Sequence, residues 1–214
     1  MKIIAALGLA LALSACASQP PPLRPALSPM VPPAPLVPVD PAQACLADLR
    51  RLNVDFEVVR DPQGAGDCAI ENPVKVSAAA MSWNQAGIIA CPMAQAMVRF
   101  ENEVVQQAAW RNLGQPVVKV FHFGTYSCRN QRNRSRLSMH AKGQAIDVSG
   151  FQTADGQRIS VAKDWRVPGP KSVFLRDVAQ RACDVFNVVL TPNSDRDHHD
   201  HFHLDIGPYR LCAR

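Results

Sequence analysis

The sequence predicts an α+β fold in which a small antiparallel sheet is flanked by helices. Two observations lead there: amphipathic stretches at helical spacing, and short β-branched and aromatic runs gathered mainly toward the C-terminal half. Residues 42–52 read as a short helix with Pro41 at its first turn, followed by a strand at 56–59. Pro92 opens the clearest helix, in which Met93, Met97, Phe100, Val104, Ala108 and Leu113 line one apolar face until Gly114 stops it. Residues 116–123 have strand composition through Val117, Val118, Val120, Phe121 and Phe123, with His122 as a core or edge histidine. A further strand is expected at 145–148. The stretch 172–186 is a second amphipathic helix with Val173, Phe174, Val178, Ala182 and Val185 turned inward, and strands at 188–190 and 201–206 complete the set.

Composition bounds the function. Of 214 residues, 47% are hydrophobic and 19% charged, which is enough to bury a core and excludes disorder throughout. The net charge of +5 is spread along the chain; the one dense basic stretch is Arg129, Arg132, Arg134 and Arg136, without interleaved aromatics, so a dedicated nucleic-acid module is not expected.

The N-terminus speaks to compartment. Lys2 precedes an apolar run from Ile3 to Leu13, the length of a signal-peptide core and too short to span a bilayer. It ends in Leu13-Ser14-Ala15-Cys16, which looks like the bacterial lipobox. Residues 1–15 are then a signal peptide and Cys16 the acylated first residue, anchoring the protein to a membrane. Ordinary secretory cleavage near Ala15 or Ala17 is the alternative. Ala17 is not the aspartate that commonly retains such proteins at the inner membrane, so an outer-membrane lipoprotein facing the periplasm is expected. Ten of the 18 prolines lie between Pro20 and Pro41, making 16–41 an extended linker able to reach the cell wall, with a ligand for a proline-binding domain as the alternative. The globular domain is 42–214.

Besides Cys16 there are six cysteines: Cys45, Cys68, Cys91, Cys128, Cys183 and Cys212. An even number in an exported chain points to three disulfides, and the absence of any C-x-x-C disfavours a structural zinc cluster or thioredoxin-type site. Cys183 with Cys212 is the one expected pair.

Four of the six histidines fall within Asp197-His198-His199-Asp200-His201-Phe202-His203-Leu204-Asp205. On a strand His201 and His203 project together while Phe202 and Leu204 enter the core. A catalytic tetrahedral zinc wants three protein ligands and one open position, and upstream Ser138-Met139-His140-Ala141-Lys142-Gly143-Gln144-Ala145-Ile146-Asp147 offers a His and an Asp, with small residues that let the backbone pass close. By strand parity Asp200 points away from His201 and His203 unless the strand begins after it. Arg129 could bind a substrate carboxylate bidentately or be a surface arginine. His198 and His199 could be solvated loop residues.

The pattern Ser138-x-His140-x-x-Gly143-x-Ala145-x-Asp147, followed by His201-x-His203, resembles the zinc peptidase group of lysostaphin, the D-Ala-D-Ala carboxypeptidases and sonic hedgehog. Asp200-His201-Phe202-His203 is similar to the penicillin-insensitive murein endopeptidases. Thr125-Tyr126-Ser127-Cys128-Arg129, Cys91-Pro92-Met93-Ala94, the run from Phe174 to Cys183, Asn72-Pro73-Val74 and Leu211-Cys212 resemble the bacterial extensin-like C-terminal domain family. Met139 departs from the pattern, which has an acidic residue before the ligand histidine. The resemblance implies a hedgehog- or carboxypeptidase-like sheet carrying zinc on His140, Asp147 and His203. It implies a catalytic role for His201, a general base at Asp200 and an active-site histidine at His198. The expected function is a zinc peptidase acting on peptidoglycan peptides. The alternative is a non-catalytic, zinc-stabilised wall-binding or scaffolding module, disfavoured by the presence of both Asp200 and His201.

Overall fold

The computed structural model describes residues 40–62, 66–132 and 134–212, within the compact unit Pro38–Arg214. The expected signal peptide, the acylated Cys16 and nearly all of the linker lie outside the described residues. The architecture is α+β, but the sheet is neither small nor wholly antiparallel. Among the described residues nine strands form one mixed sheet, eight of them in the order β1 (Asp55–Val58), β2 (Pro73–Ala78), β3 (Ser82–Ala90), β4 (Val117–His122), β5 (Ala145–Thr153), β8 (Phe202–Asp205), β7 (Val188–Leu190), β9 (Leu211–Cys212). The ninth, β6 (Arg158–Ser160), pairs with β5. The β3–β4 and β7–β9 pairs are parallel. The first of these follows from the long helix between β3 and β4, which returns the chain to the same end of the sheet.

Strands β2 and β3, which the residue pattern left unassigned, correct the expectation that strands gather mainly toward the C-terminal half. β3 reads SWNQAGIIA, whose polar centre breaks the apolar alternation that marks a strand, yet it is central in the sheet. Its helix partner begins at Cys91: α2 (Cys91–Arg99) runs through a π-helical turn at Phe100–Val105 into α3 (Gln106–Leu113), which Gly114 closes at φ 68°. α1 (Pro41–Arg51) is capped by Asp40, whose carboxylate accepts from the Ala42 amide at 3.1 Å, and buries Leu46 and Leu49. After the short α4 (Val161–Asp164), α5 (Pro170–Ala182) packs beside α3 and buries Phe174, Leu175, Val178 and Ala182. Val173, expected inward, is half exposed; Leu175 takes that place.

One core collects these helices against the sheet and includes Ile146, Val148, Phe202 and Leu204. Burying side chains of this size contributes about 1.5–3 kcal/mol each. Three disulfides join the cysteines as Cys45–Cys91, Cys68–Cys128 and Cys183–Cys212, the last as expected from sequence. They close loops of 46, 60 and 29 residues, each worth about 3–4 kcal/mol of denatured-state chain entropy.

The π-helical turn carries a fully buried carboxylate. Glu101 accepts hydrogen bonds from the Met81 amide at 2.6 Å and the Trp83 indole at 2.7 Å, fastening the start of β3 to the helix. Burial raises its pKa from the usual 4.5 to about 7, against the pull of those hydrogen bonds. The folded protein therefore holds this proton more tightly than the unfolded chain. The stability it brings is present below pH 4.5 and is lost as pH rises through about 7, a loss of about 3 kcal/mol. Glu101→Gln is expected to lack this slope, so the urea-unfolding gap between wild type and variant should change by that amount between pH 4.5 and 8. A constant gap would show that Glu101 does not titrate in this range.

Candidate metal centre

Asp147 lies on β5 directly opposite His203 on β8, so pairing of these two strands alone brings a carboxylate and an imidazole onto the same face. Their neighbours Ile146, Val148, Phe202 and Leu204 point the other way and are completely buried, which fixes the register, since a slip of one residue would invert both strands. His140 arrives from a 3-10 turn, Met139–Lys142, started by Ser138, whose hydroxyl accepts from the His140 amide. The turn ends at Gly143 in the left-handed region, φ 62°, where a Cβ would stand 2.8 Å from the Ala90 amide nitrogen. Only glycine permits that approach, and the Gly143 carbonyl accepts from that same amide at 2.8 Å.

Three donor atoms converge. His140 Nε2 is 3.2 Å from both Asp147 Oδ1 and His203 Nδ1, and His203 Nδ1 is 3.0 Å from Asp147 Oδ1. Each ring's far nitrogen is engaged: His140 Nδ1 donates to the Thr125 carbonyl, and His203 Nε2 bonds Asp205 Oδ2 at 3.1 Å. A carbonyl can only accept, so the His140 tautomer leaves a lone pair on the nitrogen facing the cluster; the Asp205 carboxylate does the same for His203. Two nitrogen lone pairs and a carboxylate oxygen within 3.2 Å need a positive charge at their centre. Around a tetrahedral zinc with bonds of about 2.0–2.1 Å, ligand atoms stand about 3.3 Å apart, so the donor set fits such an ion. The His140, Asp147 and His203 group can hold a metal ion.

Burial opposes charge on His203, but hydrogen bonds to Asp147 and Asp205 outweigh it and lift its pKa to about 9. Burial likewise opposes ionisation of Asp147, and hydrogen bonds from His140 and His203 overcome it, holding the carboxyl far below the usual range.

The other candidates gather around this cluster. β8 begins at Phe202, so strand parity does not govern Asp200; its carboxylate bonds His201 Nδ1 at 2.8 Å rather than turning away. His201 Nε2 then faces Asp147 Oδ1 at 3.5 Å, and the exposed Phe123 packs edge-on to the ring. His198 is held by Asp195, Nδ1 to Oδ1 at 2.7 Å, with its ring 5.2 Å from that of His201 and 5.8 Å from that of His203. Burial lowers its pKa, partly countered by Asp195. His199 is exposed, with Nε2 3.7 Å from Asp200. His122 is buried as expected, its ring edge-on to Trp83.

His140, Asp147, His198, His201, His203 and Arg129 all line one cleft of about 840 Å³. Sequence reasoning missed Asp205, Asp195 and Thr125, which orient the histidines. Asp205 was findable, since it follows His203 by two on the same strand. The Thr125 contribution is a backbone carbonyl and has no residue-type signal. Met139 packs its sulfur against Gly207, where a Cβ would collide with it, and Met139 and Asp205 both line the cleft.

A family model described as the extensin-like protein C-terminus matches residues 43–213. No curated protein and no solved structure matches the chain.

Proposed function

The chain belongs to the extensin-like C-terminal family, and from that premise we propose that it is a zinc-dependent peptidase of the cell envelope, cutting peptidoglycan peptides as a D-Ala-D-Ala carboxypeptidase or murein endopeptidase does. The observation that carries the reading is the convergence of His140 Nε2, Asp147 Oδ1 and His203 Nδ1, with both outer ring nitrogens engaged. The sequence likeness to the lysostaphin, carboxypeptidase and hedgehog group supplies the peptide substrate.

When bound on His140, Asp147 and His203, zinc supplies a Lewis acid for the scissile carbonyl and a water of lowered pKa. The protein residues do the rest. Asp147 is committed to ring nitrogens of His140 and His203, Asp205 to His203 and Asp200 to Nδ1 of His201, which leaves the proton work to imidazoles. His201, oriented by Asp200 through Nδ1, presents Nε2 toward the site; there it takes the water's proton and returns it to the leaving amine. His198, held by Asp195, flanks the same space beside His201. Arg129, on the cleft wall, pairs with the substrate carboxylate. Residues 1–15 direct export, the acylated Cys16 anchors the chain in the outer membrane, and the proline-rich segment gives reach to the wall.

Digestion of purified sacculi tests this. The zinc-loaded protein is expected to shorten or unlink stem peptides, and a chelator to stop it. Unchanged muropeptides at full zinc occupancy would overturn the peptidase reading and leave the wall-binding module in its place.

A further inference from the structure

The metal ligands lie on one face of the sheet, and strand register carries that face beyond them. Asp147 on β5 stands opposite His203 on β8, and His203 stands opposite Leu190 on β7. One step along, Asp205 is paired with Val188, and Val188 with Leu211 on the edge strand β9. Residues directly opposite each other share a face, with Cβ atoms about 4.5–5.5 Å apart in an antiparallel pair. The alternate residues go the other way. Val189 belongs to the core, and its partner Cys212 is bonded to Cys183, which packs on that core. Val188, Leu190 and Leu211 therefore form an apolar strip running from His203 to the sheet edge, and all three line the cleft. The carboxylate that borders the strip is engaged within the protein: Asp205 holds His203 Nε2 with Oδ2 and accepts from the Gly207 amide with Oδ1. Met139 adds its thioether to the cleft lining, against Gly207. Leu211 is 56% exposed, yet it is held in place by the disulfide at the next residue and by its amide, which donates to the Asn187 carbonyl at 2.9 Å. A lone exposed leucine means little, but apolar side chains in register with a metal centre mark a surface for a ligand.

We propose that this strip is the subsite for an aliphatic side chain on the substrate residue next to the bond that is cut, with Leu190 and Leu211 as its specificity-determining residues. The inference rests on the peptidase reading for placing a peptide across the metal ligands. The kind of side chain follows from the surface itself. An amide or charged group set against Val188, Leu190 and Leu211 gives up water without gaining a partner from them. Each methylene fully buried there adds about three- to fourfold in affinity. Leu190 is the member opposite the ligand His203, and Leu211 is the member that extends the strip to the cleft mouth.

Calorimetric titration of the zinc-loaded protein with N-acetylated amino-acid hydroxamates tests it without turnover. The hydroxamate holds each probe at the metal, and only the side chain differs: glycine, alanine, norvaline and, as a polar match for size, asparagine. Affinity is expected to rise from glycine through alanine to norvaline by about tenfold or more in all, with asparagine no tighter than glycine. Leu190→Ala and Leu211→Ser are each expected to cut the norvaline preference by about threefold or more, while zinc content and affinity for the glycine probe stay at wild-type values. Should Leu190→Ala fail to fold, as zinc and disulfide content would reveal, Leu211→Ser at its exposed position carries the test. Val118→Ser, at an exposed position on β4 outside the cleft, should keep the full preference. Equal affinity for the glycine and norvaline probes, a preference for asparagine, or an unchanged preference in both leucine variants would overturn the proposal. So would a zinc-loaded protein that binds none of the probes. Failure of the peptidase reading is seen separately, as intact muropeptides from a protein that still prefers norvaline and loses that preference in the variants; the strip would then stand as an aliphatic subsite beside the metal without a peptide bond to serve.

Discussion

Asp147→Ala is expected to abolish zinc retention and with it hydrolysis, lowering kcat/KM by about 10³-fold or more, or about 4 kcal/mol of transition-state stabilisation. The carboxylate sits between His140 Nε2 and His203 Nδ1, at 3.2 and 3.0 Å. Without it the facing imidazoles keep their lone pairs but lose the negative charge that holds a cation between them. The effect should be specific to the site. Asp147 belongs to a strand whose core residues, Ile146 and Val148, remain in place, and its backbone still pairs with Phe123 and Gly124 of the β4 end. Far-UV circular dichroism and disulfide content should therefore match wild type while zinc content and muropeptide cleavage fall together. A variant that cleaves within about tenfold of wild type would remove Asp147 from the centre.

His201→Ala is expected to separate chemistry from metal binding. The His201 ring is not one of the three converging donors, and its Nε2 lies 3.5 Å from Asp147 Oδ1. The variant should keep its zinc and lose about 10²–10⁴-fold in kcat, the range of a positioned proton-transfer group. Asp200→Asn should lose less, about 10–100-fold, because it only orients the His201 ring through Nδ1. Loss of zinc in His201→Ala would instead make His201 a ligand. Equal losses in the two variants would make Asp200 a direct participant in proton transfer.

Much of the centre was legible because it is written in short-range periodicity. His201 and His203 two apart, with Phe202 and Leu204 between and after them, have the alternation of a strand with one polar face. Gly143 marked a backbone passing close to its neighbours, and the structure places Ala90 there. What periodicity cannot carry is pairing between distant strands. Nothing in 145–148 says that Asp147 will stand opposite His203, and only the resemblance joined them before the register did. The role of Asp200 depended on where β8 begins, and strand ends are where propensity is weakest. β2 and β3 were lost for a related reason. The polar middle of β3, Asn84 and Gln85, hides an interior strand because these exposed side chains bond the His122 carbonyl at the end of the neighbouring strand β4. The basic run at 129–136 was visible as charge; the fold puts its arginines on the lining of the same cleft as the histidines.

Zinc stoichiometry of the purified domain and of its His203→Ala variant, by mass spectrometry after dialysis, tests the central claim most directly. The account predicts about one zinc per chain in the wild type and none in the variant, with both folded and disulfide-bonded. A folded wild-type domain that takes up no metal even when zinc is offered would contradict it. The convergence of His140, Asp147 and His203 would then be a buried hydrogen-bonded set centred on the His203 proton.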